Sequence, residues 1–253
     1  MSLRFLRRAV ALVAVLAEVV IRYWLSRLRG PVTLEQRAQW LQDACIRILR
    51  SLEIRCEVEG QIPERGLVVA NHLSYLEVVI LSAAMPCFFV AKAEIDNWPY
   101  FGKAARAGGT LFIDRSRRAS AEKVADLIGE RLKLCVPVLL FPEGTSTNGT
   151  MLRFHARLFE PAIRAGAPIT AASICYVMDN EIPESELCWF GDDALAPHLV
   201  KTLNVPGFHA KLRFGEPRTY AHRREAADDT FAAIAEMRSG ALTPREPEIL
   251  QPA

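Results

Sequence analysis

A chain of 253 residues accommodates one large domain, or a domain with an appendage, and its 51 % hydrophobic content supplies a sizeable core. Its 31 basic and 29 acidic residues leave a net charge of +2. That near-balance, with no strip of interleaved aromatic and basic residues, argues against a nucleic-acid partner, and none is expected. The six cysteines (Cys45, Cys56, Cys87, Cys135, Cys175 and Cys188) include no C-x-x-C pair and mostly lie in apolar runs. They are expected to be buried, reduced thiols in a cytosol-facing protein, and no metal site is expected.

Charge is unevenly distributed along the chain. Residues 1–30 hold six arginines, Arg4, Arg7, Arg8, Arg22, Arg27 and Arg29, against one acid, Glu18, so the remainder is slightly acidic. A basic, apolar start predicts attraction to anionic lipid head groups. Ala9 to Ile21 is apolar apart from Glu18 and follows three arginines, as in a signal peptide, yet no small-x-small cleavage site comes after it. An uninterrupted apolar stretch of about 20 residues, the length of a simple spanning helix, is also missing. Tyr23 and Trp24 suit a lipid–water interface, where the flanking arginines can snorkel.

Gly30-Pro31 breaks this helix, and Thr33-Leu34-Glu35-Gln36 reads as a capping box opening a second helix that runs to about Leu52. Its apolar positions Trp40, Leu41, Ala44, Cys45, Ile48 and Leu49 fall at helical spacing. Residues 1–52 are therefore expected to form a two-helix membrane-anchoring motif lying in one leaflet. The competing arrangement is a helical hairpin packed on its own domain or on a second copy.

From Leu52 the period changes to two, with Leu52, Ile54, Cys56 and Val58 alternating with polar residues, as in a half-buried strand. Short apolar runs follow at 67–70, 88–91, 110–113, 137–141, 169–177 and 210–214, with helical patterns near 74–85, 119–134, 155–165 and 225–238. This alternation predicts an α/β fold over residues 53–240, a mixed and mostly buried β-sheet flanked by helices. Residues 179–209, with Pro183, Pro197 and Pro206, read as irregular: a lid, a pocket wall or a long loop. The Pro- and Glu-rich tail 241–253 is expected to be flexible.

Three segments carry candidate chemistry. In Ala70-Asn71-His72-Leu73-Ser74-Tyr75-Leu76-Glu77, a histidine and a carboxylate lie between a strand and a helix. Folded together they make a general base with an orienting partner, able to take a proton from a hydroxyl that attacks an acyl carbon. Asn71 and Ser74 read as helix-capping residues, and Glu77 alone reads equally well as a surface acid in the first helical turn. In Gly109-Thr110-Leu111-Phe112-Ile113-Asp114-Arg115, the arginine at the strand end can fork onto a phosphate or a carboxylate, or form an ordinary surface ion pair. In Phe141-Pro142-Glu143-Gly144-Thr145-Ser146, Glu143 sits in a restricted turn, able to accept bonds from acceptor hydroxyls, while Gly144 and Thr145 offer backbone N–H groups. Gly166-Ala167-Pro168-Ile169 then enters a further buried strand.

Together these segments resemble the glycerophospholipid acyltransferase family, which includes the 1-acylglycerol-3-phosphate acyltransferases. That family carries Asn-His-x4-Asp, a strand ending in Ile-Asp-Arg, a Phe-Pro-Glu-Gly-Thr turn and a later proline-led strand. They match here at Asn71-His72, Ile113-Asp114-Arg115, Phe141–Thr145 and Ala167-Pro168-Ile169, with Lys92 where the family often has a lysine. One residue departs: the usual aspartate is Glu77. The resemblance implies His72 and Glu77 as catalytic residues and Asn71, Lys92, Arg115, Glu143, Gly144 and Thr145 as substrate-binding residues. It implies direct acyl transfer from acyl-CoA or acyl-carrier protein to a lysolipid hydroxyl, most simply 1-acylglycerol-3-phosphate, with lyso-ornithine lipid as the alternative acceptor. It implies no cofactor beyond the thioester co-substrate, and association with the bilayer at the cytoplasmic face. A catalytically silent lipid-binding protein and a thioester hydrolase are the competing classes.

Overall fold

The computed structural model describes residues 2–28, 30–98, 100–114, 118–178, 182–240 and 248–249. Two helices come first, α1 (Leu3–Leu28) and α2 (Leu34–Leu52). The Thr33 side chain accepts from Gln36 N, and the Gln36 side chain accepts from Thr33 N, so the capping box that opens α2 is present in full. The body then alternates strands and helices: β1 (Arg55–Glu59), β2 (Leu67–Ala70), α3 (Leu76–Ala84), β3 (Phe88–Lys92), α4 (Phe101–Ala107), β4 (Leu111–Ile113), α5 (Arg118–Arg131) and β5 (Val138–Leu140). It continues with α6 (Glu160–Ala165), β6 (Ile169–Met178), α7 (Leu195–Asn204), β7 (Phe208–Phe214), α8 (Arg223–Ser239) and the short β8 (Glu248–Ile249).

The strands form one mixed sheet in the order β4-β3-β5-β2-β6-β7-β1-β8. The five from β4 to β6 run parallel, β7 turns antiparallel against β6, and β1 lies parallel to β7. Central parallel strands are covered on both faces, which is why β2 (Leu-Val-Val-Ala) is buried at all four positions while β1, near an edge, alternates. Val68 and Ala70 join the core under α2 and α3 with Leu49, Leu76 and Ile80. Leu67 and Val69 join the opposite core with Val124, Phe159, Ala162 and Ile234 from the helices on the other side. The result is a three-layer α/β/α arrangement.

The structure differs from the sequence expectations in three places. The stretch 179–209 is not wholly irregular, because α7 crosses it with Pro197 in its first turn, where a missing N–H costs nothing. The apolar face of α2 turns inward: Ala44, Cys45 and Leu49 are buried, and Leu41 and Ile48 pack on the same core. Among the described residues it is α1 that leaves a long apolar face exposed, including Leu6, Val10, Val13, Ile21 and Trp24. Within the tail, Glu248–Ile249 pairs antiparallel with β1, and the remaining positions lie outside the described residues.

Not all the N-terminal arginines remain available to lipid. Arg8 is buried, donating from Nη1 to the Val205 carbonyl (2.7 Å) and from Nε to Glu53 Oε2 (3.2 Å), and Arg7 pairs with the same carboxylate. These contacts fasten α1 to the α7–β7 junction and to the end of α2.

Gly66 starts two strand pairings at once. Leu67 N donates to Pro168 O (2.9 Å) and Val138 N donates to Gly66 O (2.9 Å). Gly66 has φ +88°, and a Cβ there would collide with the Pro168 carbonyl oxygen. Gly66→Ala is expected to destabilise the domain by at least about 1–3 kcal/mol from the backbone conformation alone, read as a lowered midpoint in a denaturant titration.

Candidate active site

Because β2, β3, β4 and β5 are parallel, their carboxyl ends share one edge of the sheet. Ligands bind at this edge in open α/β sheets because the loops there converge. Asn71 and His72 follow β2, Lys92 ends β3, Asp114 follows β4, and Phe141 to Thr145 follow β5. Four separate pieces of sequence are thus gathered at one edge by strand direction.

His72 and Glu77 meet directly, with Nδ1 2.8 Å from Glu77 Oε2. The same oxygen accepts from Leu73 N (2.9 Å) and Ser74 N (2.6 Å). An oxygen receiving two backbone N–H groups serves as an acceptor toward the ring as well, so the hydrogen sits on Nδ1 and Nε2 keeps its lone pair. The Glu77 side chain is fully buried, whereas the His72 ring stays 20 % exposed. Phe141 stacks on that ring, centroids 4.1 Å apart and planes 11° from parallel, fixing it against rotation out of the Glu77 bond. A histidine held this way can accept a proton at Nε2 from a group arriving from solvent.

The backbone of His72 is fixed as firmly as its ring. Its N–H donates to Glu143 Oε1 (2.9 Å), and its carbonyl accepts from Thr147 N (2.9 Å) and Thr147 Oγ1 (3.3 Å). Glu143 Oε2 accepts from Leu152 N (2.7 Å). Glu143 is buried, and each of its oxygens already holds one backbone N–H, so its evident work is to tie the β2 loop to the β5 loop. Burial pushes its carboxyl up from the ordinary value, while the backbone bonds from Leu152 and His72 and the charge of Arg238 pull it part of the way back.

The other expected site residues take distinct places. Asn71 is buried and caps no helix: Nδ2 donates to Ile174 O (3.1 Å) and Oδ1 accepts from Ile174 N (2.9 Å), pinning β2 to β6. Gly144 adopts φ +79°, and its N–H closes the turn onto Phe141 O (3.1 Å). Thr145 is exposed on that loop, and Lys92 is exposed at the end of β3 in register with Ile113. Arg115 lies outside the described residues.

Residues with no place in the site assigned from sequence complete the arrangement: Ser74, read only as a helix cap, and Tyr176 behind Glu77, Thr147 on the His72 carbonyl and Phe141 on the ring. Phe141 belonged to a motif but had no assigned task. Tyr176 was hidden in the long buried run of β6.

A family model, Acyltransferase, matches residues 53–175, the span that carries all of these loops. A lyso-ornithine lipid O-acyltransferase of Pseudomonas aeruginosa is 33 % identical over 223 residues, 85 % of each chain. The chain belongs to the glycerophospholipid acyltransferase family. It is therefore an acyltransferase, and the loops at the sheet edge are where this family's motifs fall in the chain.

Within the family the similarities divide. The 1-acyl-sn-glycerol-3-phosphate acyltransferase of Neisseria meningitidis is 39 % identical over 133 residues, 51 % of this chain and 52 % of that one. The lyso-ornithine lipid O-acyltransferase of Rhizobium meliloti is 30 % identical over 225 residues, 81 % of this chain and 75 % of that one. Among solved structures, the 1-acyl-sn-glycerophosphate acyltransferase PlsC of Thermotoga maritima superposes with a TM-score of 0.70 at 18 % identity, covering 96 % of this chain and 97 % of its own, which establishes a common fold.

Glu143→Gln replaces one acceptor oxygen by a donor that faces a backbone N–H. It is expected to lower kcat about tenfold and to cost about 1–3 kcal/mol of stability, as an unsatisfied buried donor does. The pH dependence has a definite sign. A carboxyl whose folded value lies above its unfolded value keeps its proton longer in the folded state, so stability declines as pH rises through the window between the two values. Denaturation of both proteins across that window checks this: the variant's profile should be flatter on that limb.

Proposed function

We propose that the protein moves a fatty acyl group from an acyl thioester, acyl-CoA or acyl-carrier protein, to the free hydroxyl of a lysolipid, and that the acceptor is a lyso-ornithine lipid. The observation that carries the chemistry is the buried Glu77 carboxylate on His72 Nδ1, which leaves Nε2 free to take a proton. In this reading Nε2 removes the acceptor's hydroxyl proton and the oxygen attacks the thioester carbonyl. The tetrahedral oxyanion then collapses, and the imidazolium returns the proton to the departing thiolate. No covalent acyl-enzyme is required. Burial holds the thiols of Cys45, Cys56 and Cys188 up at about 12, far from the thiolate that nucleophilic catalysis needs.

The choice of acceptor rests on coverage. The relatives that match along most of their length, from Pseudomonas aeruginosa and Rhizobium meliloti, are lyso-ornithine lipid O-acyltransferases. The second reading, acylation of 1-acylglycerol-3-phosphate to phosphatidate, is favoured by the higher identity of the Neisseria match over its shorter span. In either case Lys92, exposed at the sheet edge, and Arg115, from the resemblance, are the cations assigned to the acceptor's anionic group.

The same reading places the enzyme on a membrane at its cytoplasmic face, with α1 as the anchor. Its support is physical: α1 has 26 residues, about 39 Å at helical rise, is long and apolar enough to cross a bilayer, and is hardly buried by the domain. Exposed Leu3, Leu6, Val10 and Val13 recur every three or four residues, giving one apolar stripe suited to lying in the interface.

Purified protein supplied with a long-chain acyl thioester and either lyso-ornithine lipid or 1-acylglycerol-3-phosphate, with products identified by mass, tests the proposal. Ornithine lipid formation is expected, falling on the order of 10²–10⁴-fold in His72→Ala. Phosphatidate as the sole product would transfer the assignment to the second reading. Thiol release with neither acceptor present would make the protein a hydrolase and overturn both.

A further inference from the structure

The family pattern has aspartate where this chain has Glu77. The additional methylene extends the side chain by one bond, about 1.5 Å, and adds a torsion that must be fixed before the carboxylate can orient a ring. The surroundings of Glu77 supply that restraint. Besides the three groups on Oε2, Ser74 Oγ lies 3.5 Å from Oε1 and 3.1 Å from Tyr176 Oη, and it accepts from Leu76 N at 3.0 Å. Ser74, Glu77 and Tyr176 are all buried.

The hydrogen count orders this cluster. The Ser74 hydroxyl has one hydrogen and two lone pairs. The Leu76 N–H occupies one lone pair, and the hydrogen goes to the carboxylate, which has none to give. The remaining lone pair must then receive the Tyr176 hydroxyl. The bonds run in one direction, from Tyr176 Oη–H to Ser74 Oγ, from Ser74 Oγ–H to Glu77 Oε1, and from His72 Nδ1–H to Glu77 Oε2.

Tyr176 is itself held from behind. Its backbone N–H donates to Glu184 Oε1 (2.8 Å), and Glu184 Oε2 pairs with Arg238 Nη2 (2.7 Å) near the end of α8. Its ring meets Phe208 edge-on, centroids 5.5 Å apart. Arg238 also donates to the carbonyl of Ile174, the residue on which Asn71 is pinned.

We propose that Tyr176 and Ser74 are positioning residues that fit a glutamate to the orienting role in this active site, acting on His72 only through Glu77. The proposal rests on the acyl-transfer reading for its kinetic consequences but not for its structural ones. It carries an unusual corollary: Glu77→Asp, which restores the family pattern, lowers activity here. The shortened carboxylate withdraws from both the ring and the Ser74 hydroxyl, and a displacement of about 1 Å at such a site is worth up to about 100-fold in rate.

The test is a double-mutant cycle on purified full-length protein. Tyr176→Phe, which deletes one hydroxyl, should lower kcat about tenfold with KM for thioester and acceptor within about twofold. In a Glu77→Gln background the same change should have no further effect, because the pathway is already cut. Ser74→Ala should repeat both results and protects the test should Tyr176→Phe fail to fold. An equal loss in both backgrounds, or kcat within about twofold of wild type in the single variant, would overturn the proposal. A second readout needs no turnover: the ring Nδ1–H proton resonance of His72 should be sharp in the wild type and lost to solvent exchange in Tyr176→Phe and Ser74→Ala. Retention of that resonance would sink the idea even if the acceptor were misassigned. A wild-type resonance lost in the variants, with no turnover on either acceptor, would uphold the positioning network and reject only the substrate reading.

Discussion

The candidate site of this molecule depends on the burial of one carboxylate. A fully buried acid is costly unless donors surround it. Glu77 meets that condition with the Leu73 and Ser74 N–H groups, the His72 ring and the Ser74 hydroxyl. For two successive backbone N–H groups to converge on one oxygen, the chain leaving β2 must turn sharply between His72 and Tyr75. That turn defers the start of α3 to Leu76. The orientation of the imidazole is thus a by-product of satisfying the acid, and the loop conformation, the helix start and the ring tautomer follow from one requirement.

A second buried acid does for the supports what Glu77 does for the ring. Glu143 collects backbone N–H groups from two different segments, His72 and Leu152, and so fixes the β2 loop against the β5 loop. Asn71 performs the corresponding task toward β6, using both ends of its amide on Ile174. β2 lies between β5 and β6, so the His72 loop is tied to both neighbours by side chains reaching backbone groups. This accounts for a central rather than an edge strand carrying His72: a central strand has neighbours on two sides. The Asn-His and Phe-Pro-Glu-Gly-Thr motifs are halves of one brace. The glutamate of the second motif serves the histidine of the first.

Much of this could be read from the chain because periodicity and turn chemistry are local. The run at 67–70 and the Thr33–Gln36 capping box correspond to the elements they suggested, while the alternation over 52–58 matches its strand only from Arg55, because Leu52 still ends α2. What could not be read was nonlocal. The spacing of apolar residues in α2 is the same whether they face lipid or a domain, and only the presence of α3 beneath them decides. The proline content of 179–209 concealed α7 because proline in a first turn is compatible with helix, a distinction that needs the helix start to be known. Asn71 has the composition of a capping residue, and its partner, Ile174, is more than a hundred positions away. Tyr176 is a buried aromatic in a buried strand, and nothing in its sequence context distinguishes a hydroxyl aimed at Ser74 from one aimed elsewhere.

The way α1 is attached bears on how such an enzyme would meet its substrates, both of which are amphiphiles in the proposed reaction. A helix joined only by a linker would hold the domain near a lipid surface without fixing its tilt. Here the helix also touches the domain directly. Arg8 is buried against the Val205 carbonyl and Glu53, and Phe5, Ala9 and Leu12 pack on the same core that underlies the His72 loop. Those contacts give the exposed apolar stripe of α1 a defined direction relative to His72 in this structure. Burying that stripe in an interface would set the direction in which the half-open side of the imidazole faces. Arg8, one of the six arginines that made the N-terminus look lipid-seeking in the sequence, thus contributes by leaving the surface and joining the helix to the domain.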